Sequence, residues 1–155
     1  MIADLPEFLI AAKRATYAAL GDAASVAPAL AGSKQLEYRA GRFDYRDVYF
    51  GMAYFAGQET VALDGTVVWT MVYAGGIVPE VADGGDVAAI YGFLRQALRL
   101  VDARRPFRGP STFAAGDFHY TDESDGDLND FHGREIIRRG AAPIYHLHYG
   151  GGVIR

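Results

Sequence analysis

Cysteine is absent from this 155-residue chain, which excludes disulfides, thiolate-bound metals and cysteine nucleophiles. Lysine is scarce. Thirteen of the fifteen basic residues are arginine, and nineteen acids leave a net charge of −4. No basic stripe offers itself to a duplex, so direct nucleic-acid binding is not expected. No apolar run reaches the length that spans a bilayer. Asp4 and Glu7 stand where an export signal needs positive charge, so a cytoplasmic protein without a membrane partner is expected. There is no G-x-S-x-G elbow and no Walker-type loop. Gly150-Gly151-Gly152 is not followed by a helical pattern and makes a poor phosphate cradle. No cofactor is implied.

Aromatic residues are what the chain has in quantity, with ten Tyr and nine Phe. They are arranged twice over. Residues 41–78 are written again at 116–154. Gly41-Arg-Phe-Asp-Tyr-Arg-Asp47 becomes Gly116-Asp-Phe-His-Tyr-Thr-Asp122 at a shift of 75. At a shift of 76, Phe55-x-Gly57-x-Glu59 becomes Phe131-x-Gly133-x-Glu135. At the same shift Trp69, Met71, Tyr73 and Gly75 become Tyr145, Leu147, Tyr149 and Gly151. Agreement at so many bulky positions points to an internal duplication, with the copies facing each other across a pseudo-twofold axis.

Local patterns fill in the unit. Asp4-Leu5-Pro6-Glu7 reads as a capping box, and Leu5, Phe8, Leu9, Ala12, Thr16, Ala19 and Leu20 continue a helical stripe to Gly21. Residues 22–35 read as a loop. Strands are predicted at 36–40, 43–50, 54–63 and 66–73, with a hairpin at Asp64-Gly65 and a break at Gly75-Gly76. Asp86 opens a second helix with Val87, Ile90, Tyr91, Leu94, Ala97, Leu98 and Val101 inward and Arg95 and Arg99 outward. Strands recur near 111–114, 118–122, 132–139 and 143–149. The expectation is an α+β fold: one domain, 1–155, made of repeats 1–80 and 81–155. Each repeat is an αββββ unit (about 4–78 and 84–154), with antiparallel meander sheets and two helices packed on them. Whether the meanders form one sheet or two is left open.

Strand alternation puts Phe43, Tyr45 and Asp47 on one face, Phe55, Gly57 and Glu59 on one face, and Trp69 and Tyr73 on one face. The second copy repeats this with Tyr120 and Asp122, with Glu135, and with Tyr145 and Tyr149. Acids on such faces need partners. They are either scaffold carboxylates held by Tyr hydroxyls or Arg, or the base of an aromatic pocket between the repeats. Gly57 and Gly133 leave room for a ring, a backbone or a ligand. The candidate ligand-binding residues are therefore Tyr45, Asp47, Glu59, Trp69, Tyr73, Tyr120, Asp122, Glu135, Tyr145 and Tyr149. His119, His146 and His148 lie on the opposite faces and are the candidates for a zinc triad, in the second half alone. The acidic run 122–130 hints at calcium, but its spacing departs from the EF-hand register, and a solvated loop is the expectation.

The run Phe8 to Ala18, with Leu36-Glu37-Tyr38, Tyr45-Arg46-Asp47, Tyr49-Phe50-Gly51, Phe55-x-Gly57-Gln58-Glu59 and Trp69-x-Met71-x-Tyr73-x-Gly75, resembles an uncharacterised bacterial domain-of-unknown-function family. Its members stand alone or follow a helix-turn-helix of the xenobiotic-response-element regulator type. The resemblance implies the free-standing form and a sensing role, and carries over no activity or catalytic residue. The expected function is binding of a small cationic or aromatic ligand in the pocket between the repeats. Two alternatives stay open: a protein-binding regulatory or immunity-type module, and a carboxylate- or metal-dependent enzyme. No catalytic residue is assigned, and a homodimer is compatible with all three.

Overall fold

The structure, a computed structural model, describes residues 2, 4–84 and 86–155. The side chains at 20, 22, 24 and 25 fall outside the description, Leu20 of the expected stripe among them. The chain is mostly sheet. In order, the strands are β1 (Ser25–Val26), β2 (Lys34–Ala40), β3 (Phe43–Gly51), β4 (Tyr54–Leu63), β5 (Thr66–Ile77), β6 (Thr112–Ala115), β7 (Phe118–Asp127), β8 (Asp130–Arg139) and β9 (Ala142–Val153). They form one antiparallel sheet in the order β1-β2-β3-β4-β5-β9-β8-β7-β6. This is an α+β molecule in which two four-stranded meanders, β2–β5 and β6–β9, meet along β5 and β9, with the two-residue β1 added beside β2 where a loop was expected.

The meanders lie edge to edge and are not stacked on one another. Tyr73 pairs with Tyr149 at the middle of the β5–β9 ladder, between the pairs Trp69–Val153 and Ile77–Tyr145. Residues paired across a ladder share a face, so the acid-bearing surfaces of both halves point the same way. The helices cover that face. Phe8 of α1 (Leu5–Ala15) stacks on Phe43, and Phe93 of α4 (Val87–Leu98) stacks on Phe113 and tilts onto Phe118.

Several local expectations need correction. The first helix stops at Ala15, where Thr16 turns both its N–H and its hydroxyl onto Ala12 O, at 3.0 and 2.8 Å. Such a hydroxyl competes for the helix's own acceptor. A short α2 (Tyr17–Leu20) and a 3-10 turn (Gly21–Ala24) follow. Asp4 sits in the left-handed region at φ 64° and its side chain makes no capping bond. A four-residue helix α3 (Pro79–Ala82), not foreseen, links the halves.

Gly75-Gly76 does not break β5. A Cβ on Gly75 would lie 2.2 Å from His146 O and one on Gly76 2.1 Å from Ala53 O, so Gly75 lets β5 approach β9 and Gly76 lets it approach the start of β4. The acidic run is strand rather than loop. β7 continues to Asp127 and β8 begins at Asp130, with the Asp127 carboxylate accepting from Asn129 N and Nδ2 in the turn.

Candidate functional site

The site begins with two pairs of acids. Asp47 on β3 stands directly across from Glu59 on β4, and Asp122 on β7 directly across from Glu135 on β8. All four are buried, at 5, 2, 2 and 0 % exposure. Like charges in directly opposed positions repel and lose solvation together, so each pair must be compensated by its surroundings. Part of that compensation is the same in both halves. Tyr73 donates to Asp47 Oδ1 at 2.6 Å, and Tyr149 donates to Asp122 Oδ1 at 2.8 Å. Glycine makes this reach practicable. A Cβ at Gly57 would stand 2.5 Å from the Tyr73 hydroxyl, and one at Gly133 would stand 2.3 Å from that of Tyr149.

The rest of the compensation differs. In the second half the connector before β6 lies down on the sheet. Phe107 stacks on Phe131 at 4.0 Å between ring centroids. Arg108 forks onto Glu135, with Nη2 to Oε1 at 2.6 Å and Nε to Oε2 at 3.2 Å. Tyr120 and Tyr145 each add a donated bond to the same carboxylate at 2.7 Å. Arg105 reaches Asp122, with Nη2 3.1 Å from Oδ2. That approach is an ion pair without a hydrogen bond. The guanidinium donates to Asp122 O and Ser124 Oγ, and Oδ2 itself accepts no bond. Each acid of this half therefore has its own arginine.

The first half has one cation for two acids. Lys13 on α1 pairs with Glu59 and stands 5.9 Å from the Trp69 ring centre. Asp47 has no cation within ion-pair distance among the described residues, and Tyr73 donates to it. Tyr45, which matches Tyr120, lies beside Glu59 without the corresponding hydrogen bond among the described residues. The connector here also behaves differently. Once β1 has paired at the sheet edge, residues 27–32 are exposed and do not cover the sheet's face.

The space this leaves is a cavity of about 560 Å³, a volume ordinary for small-ligand pockets. Its floor is Tyr45, Asp47, Tyr49, Phe55, Glu59 and Tyr73. Lys13 and the broken end of the first helix form one wall, and Tyr91, Arg95 and Leu98 of α4 with Phe107 and Arg108 form the other.

Burial first, then the charge of Glu59, pushes the Asp47 carboxyl up to about 7, against the Tyr73 hydrogen bond and the positive charges of Lys13 and Arg108. Burial and then Glu135 do the same to Asp122, also to about 7, against Tyr149, Arg105 and Arg108. Burial pulls the Lys13 ammonium down from its ordinary value, and the neighbouring Glu59 opposes it. The hydroxyls of Tyr45 and Tyr73 are held protonated, burial being the larger cause and the nearby acids the next.

Of the ten residues expected to bind ligand, Tyr45, Asp47, Glu59 and Tyr73 line the cavity. Tyr120, Asp122, Glu135, Tyr145 and Tyr149 form the closed network of the second half, beyond the cavity. Trp69 is fully buried, stacked at 5.7 Å on Phe131, with Nε1 unbonded among the described residues. His146 and His148 have ring centres 6.2 Å apart, and His119 is two strands away on β7. No group of three potential metal ligands forms among the described residues.

Sequence reasoning missed Lys13, Arg105, Phe107, Arg108, Tyr91 and Arg95. Only Lys13 left a usable trace, a cation one residue past Ala12 on the apolar stripe of α1. Arg95 was expected to face outward; it is half-buried and lines the cavity.

Residues 47–154 match the model of a family described as Domain of unknown function (DUF5680). The chain belongs to this family. The DUF5680 match takes in both acid pairs and both Tyr–Asp bonds, and leaves out Lys13 and Tyr45. No curated protein and no solved structure matches the chain. No helix among the described residues is long and apolar enough to cross a membrane.

Proposed function

We propose that this domain is a sensor-like module that binds a small molecule carrying a cation on a flat apolar body, in the cavity over β3–β5, with the cation against Asp47. One observation carries the reading. Asp122 has Arg105 at 3.1 Å, whereas Asp47, its counterpart in the repeated sequence, faces the cavity with no cation in contact among the described residues. A bound cation supplies what the second half obtains from its own chain. The rings of Tyr45, Tyr49, Phe55, Tyr73 and Tyr91 around the cavity suit such a ligand through ring stacking and cation–π contact.

This reading includes a duplicated origin: two copies of one αββββ unit, related by a pseudo-twofold axis through the Tyr73–Tyr149 pair, sharing a single domain. The matching shifts of 75 and 76 in sequence and the matching acid pairs and Tyr–Asp bonds support it.

A carboxyl near 7 inside a cavity also favours acid–base catalysis. The same value at Asp122, in the filled half, connects the shift to the scaffold instead. A protein-binding role draws on the β3–β4 hairpin, where Phe50, Met52 and Tyr54 are 45, 68 and 60 % exposed.

Benzamidine, a flat amidinium, is a direct probe by calorimetric titration, with tryptamine as a larger aryl cation. Asp47→Asn is expected to weaken binding by about tenfold or more, and Asp122→Asn to leave it unchanged. The cation draws the proton from Asp47, so affinity is expected to rise with pH up to about 7 and then level. Absence of binding by both probes, or equal loss in both variants, sinks the proposal.

A further inference from the structure

Charge around the cavity is unevenly placed. Two acids, Asp47 and Glu59, and five bases, Lys13, Lys34, Arg95, Arg99 and Arg108, line it. Three of the bases are engaged within the chain: Lys13 with Glu59, Arg108 with Glu135, and Lys34 in a contact of its own. Arg99 is exposed and directs Nε to Ala18 O at 2.7 Å. Arg95 differs from all of these. It is half-buried on α4 and lines the cavity, and no carboxylate or carbonyl accepts from it among the described residues. Its side chain rests on Gly21, with Nη1 3.6 Å and Cδ 3.7 Å from the position of a Cβ there. The glycine thus gives the guanidinium a flat support at the broken end of the first helix. A half-buried guanidinium without an acceptor is poorly compensated, since its planar donors suit carboxylate or phosphate.

We infer that the ligand of this cavity is amphoteric, with a cation at the Asp47 floor and, across its apolar body, a carboxylate, sulfonate or phosphate held by Arg95, with Arg99 beside it. The inference rests on the cation-binding reading of Asp47 and adds the chemistry of the opposite end. Asp47 belongs to the sheet that floors the cavity and Arg95 to the α4 wall. The two charges therefore sit on separate elements, and the ligand's charged groups must be separated as well.

The test compares benzamidine with 4-amidinobenzoate, which adds a carboxylate at the far end of the same ring, by calorimetric titration on the whole chain. The expected result is binding about tenfold tighter for 4-amidinobenzoate, the worth of one partly buried charge-assisted contact. Arg95→Gln should remove that gain, so that the two amidines bind alike, and benzamidine should bind it no more weakly than it binds the parent, which also shows that the variant is folded. Equal affinity for the two amidines, or an equal loss for both in Arg95→Gln, overturns the inference while leaving the Asp47 reading in place. If neither amidine binds, the cation-binding reading fails and the inference fails with it.

Discussion

At the scale of single residues, the four buried acids set the behaviour of the molecule. Glu135 accepts bonds from Arg108, Tyr120 and Tyr145. Asp47 and Asp122 accept one side-chain bond each, from Tyr73 and Tyr149, and their carboxyls rise to about 7 from 3.8. Between those values the folded chain holds protons that the unfolded chain has lost. The contribution of these two groups to stability therefore falls as pH climbs from about 4 to about 7 and levels off above. Each group contributes a slope of roughly 1.4 kcal/mol per pH unit in that window. Asp122→Asn removes one such share, so the difference in unfolding free energy between variant and parent is expected to move in the variant's favour from pH 4 to pH 7. Denaturant unfolding at a series of pH values measures it, and a difference that stays flat refutes the burial argument for Asp122.

The acids, the rings and the two glycines were all legible in the sequence, because strand alternation with a period of two assigns each to a face. Their cations were not. Arg105 and Arg108 sit in an irregular turn that has no period to read, and Lys13 looks like any lysine on a helix until Glu59 is placed beneath it.

At the scale of elements, the two connectors make the difference between a filled half and an open one. Residues 27–32 are exposed beyond the sheet-edge strand β1, whereas Phe107 and Arg108 lie buried on the sheet's face. Phe107 fills its place by stacking on Phe131, and it also walls the cavity. Phe107→Ala is expected to cost about 3–5 kcal/mol, as for other large aromatic truncations in a core, and to open the second half to solvent. Denaturant unfolding reads the first effect. A loss below about 1 kcal/mol would mean that the connector is not part of the packed structure.

The strands were legible to within a few residues where bulky side chains alternate. Their ends were misjudged at Gly75-Gly76 and across 122–130. Glycine and acidic runs usually mark turns, but here tight β5–β9 contact and the continuous β7–β8 ladder outweigh that local preference. The break at Thr16 comes from one hydroxyl, and hydrophobic spacing continues through it undisturbed.

At the scale of the molecule, the halves depend on each other. Tyr91 of α4 donates to Met52 O and Ala53 O at 2.6 and 2.9 Å, and β5 finds its outer partner only in β9. A chain ending at residue 83 would leave β5 as a bare edge, prone to association, and would lose α4 and Phe107 from the cavity wall. Such a fragment is expected to show no cooperative thermal transition by circular dichroism. A sharp transition in the fragment alone would show that the halves are separate domains.

The sequence by itself determined the strands, their inward faces, the repeated acids and the rings around them. These follow from local periodicity and from which side chains water rejects. Only the tertiary structure decided that the two meanders join edge to edge, that one half is sealed by its own arginines, and that the other keeps a cavity over Asp47. Those outcomes depend on where irregular connectors come to rest. That is settled by packing and charge between residues far apart in the chain, such as Lys13 with Glu59 and Arg108 with Glu135, and no local pattern encodes it.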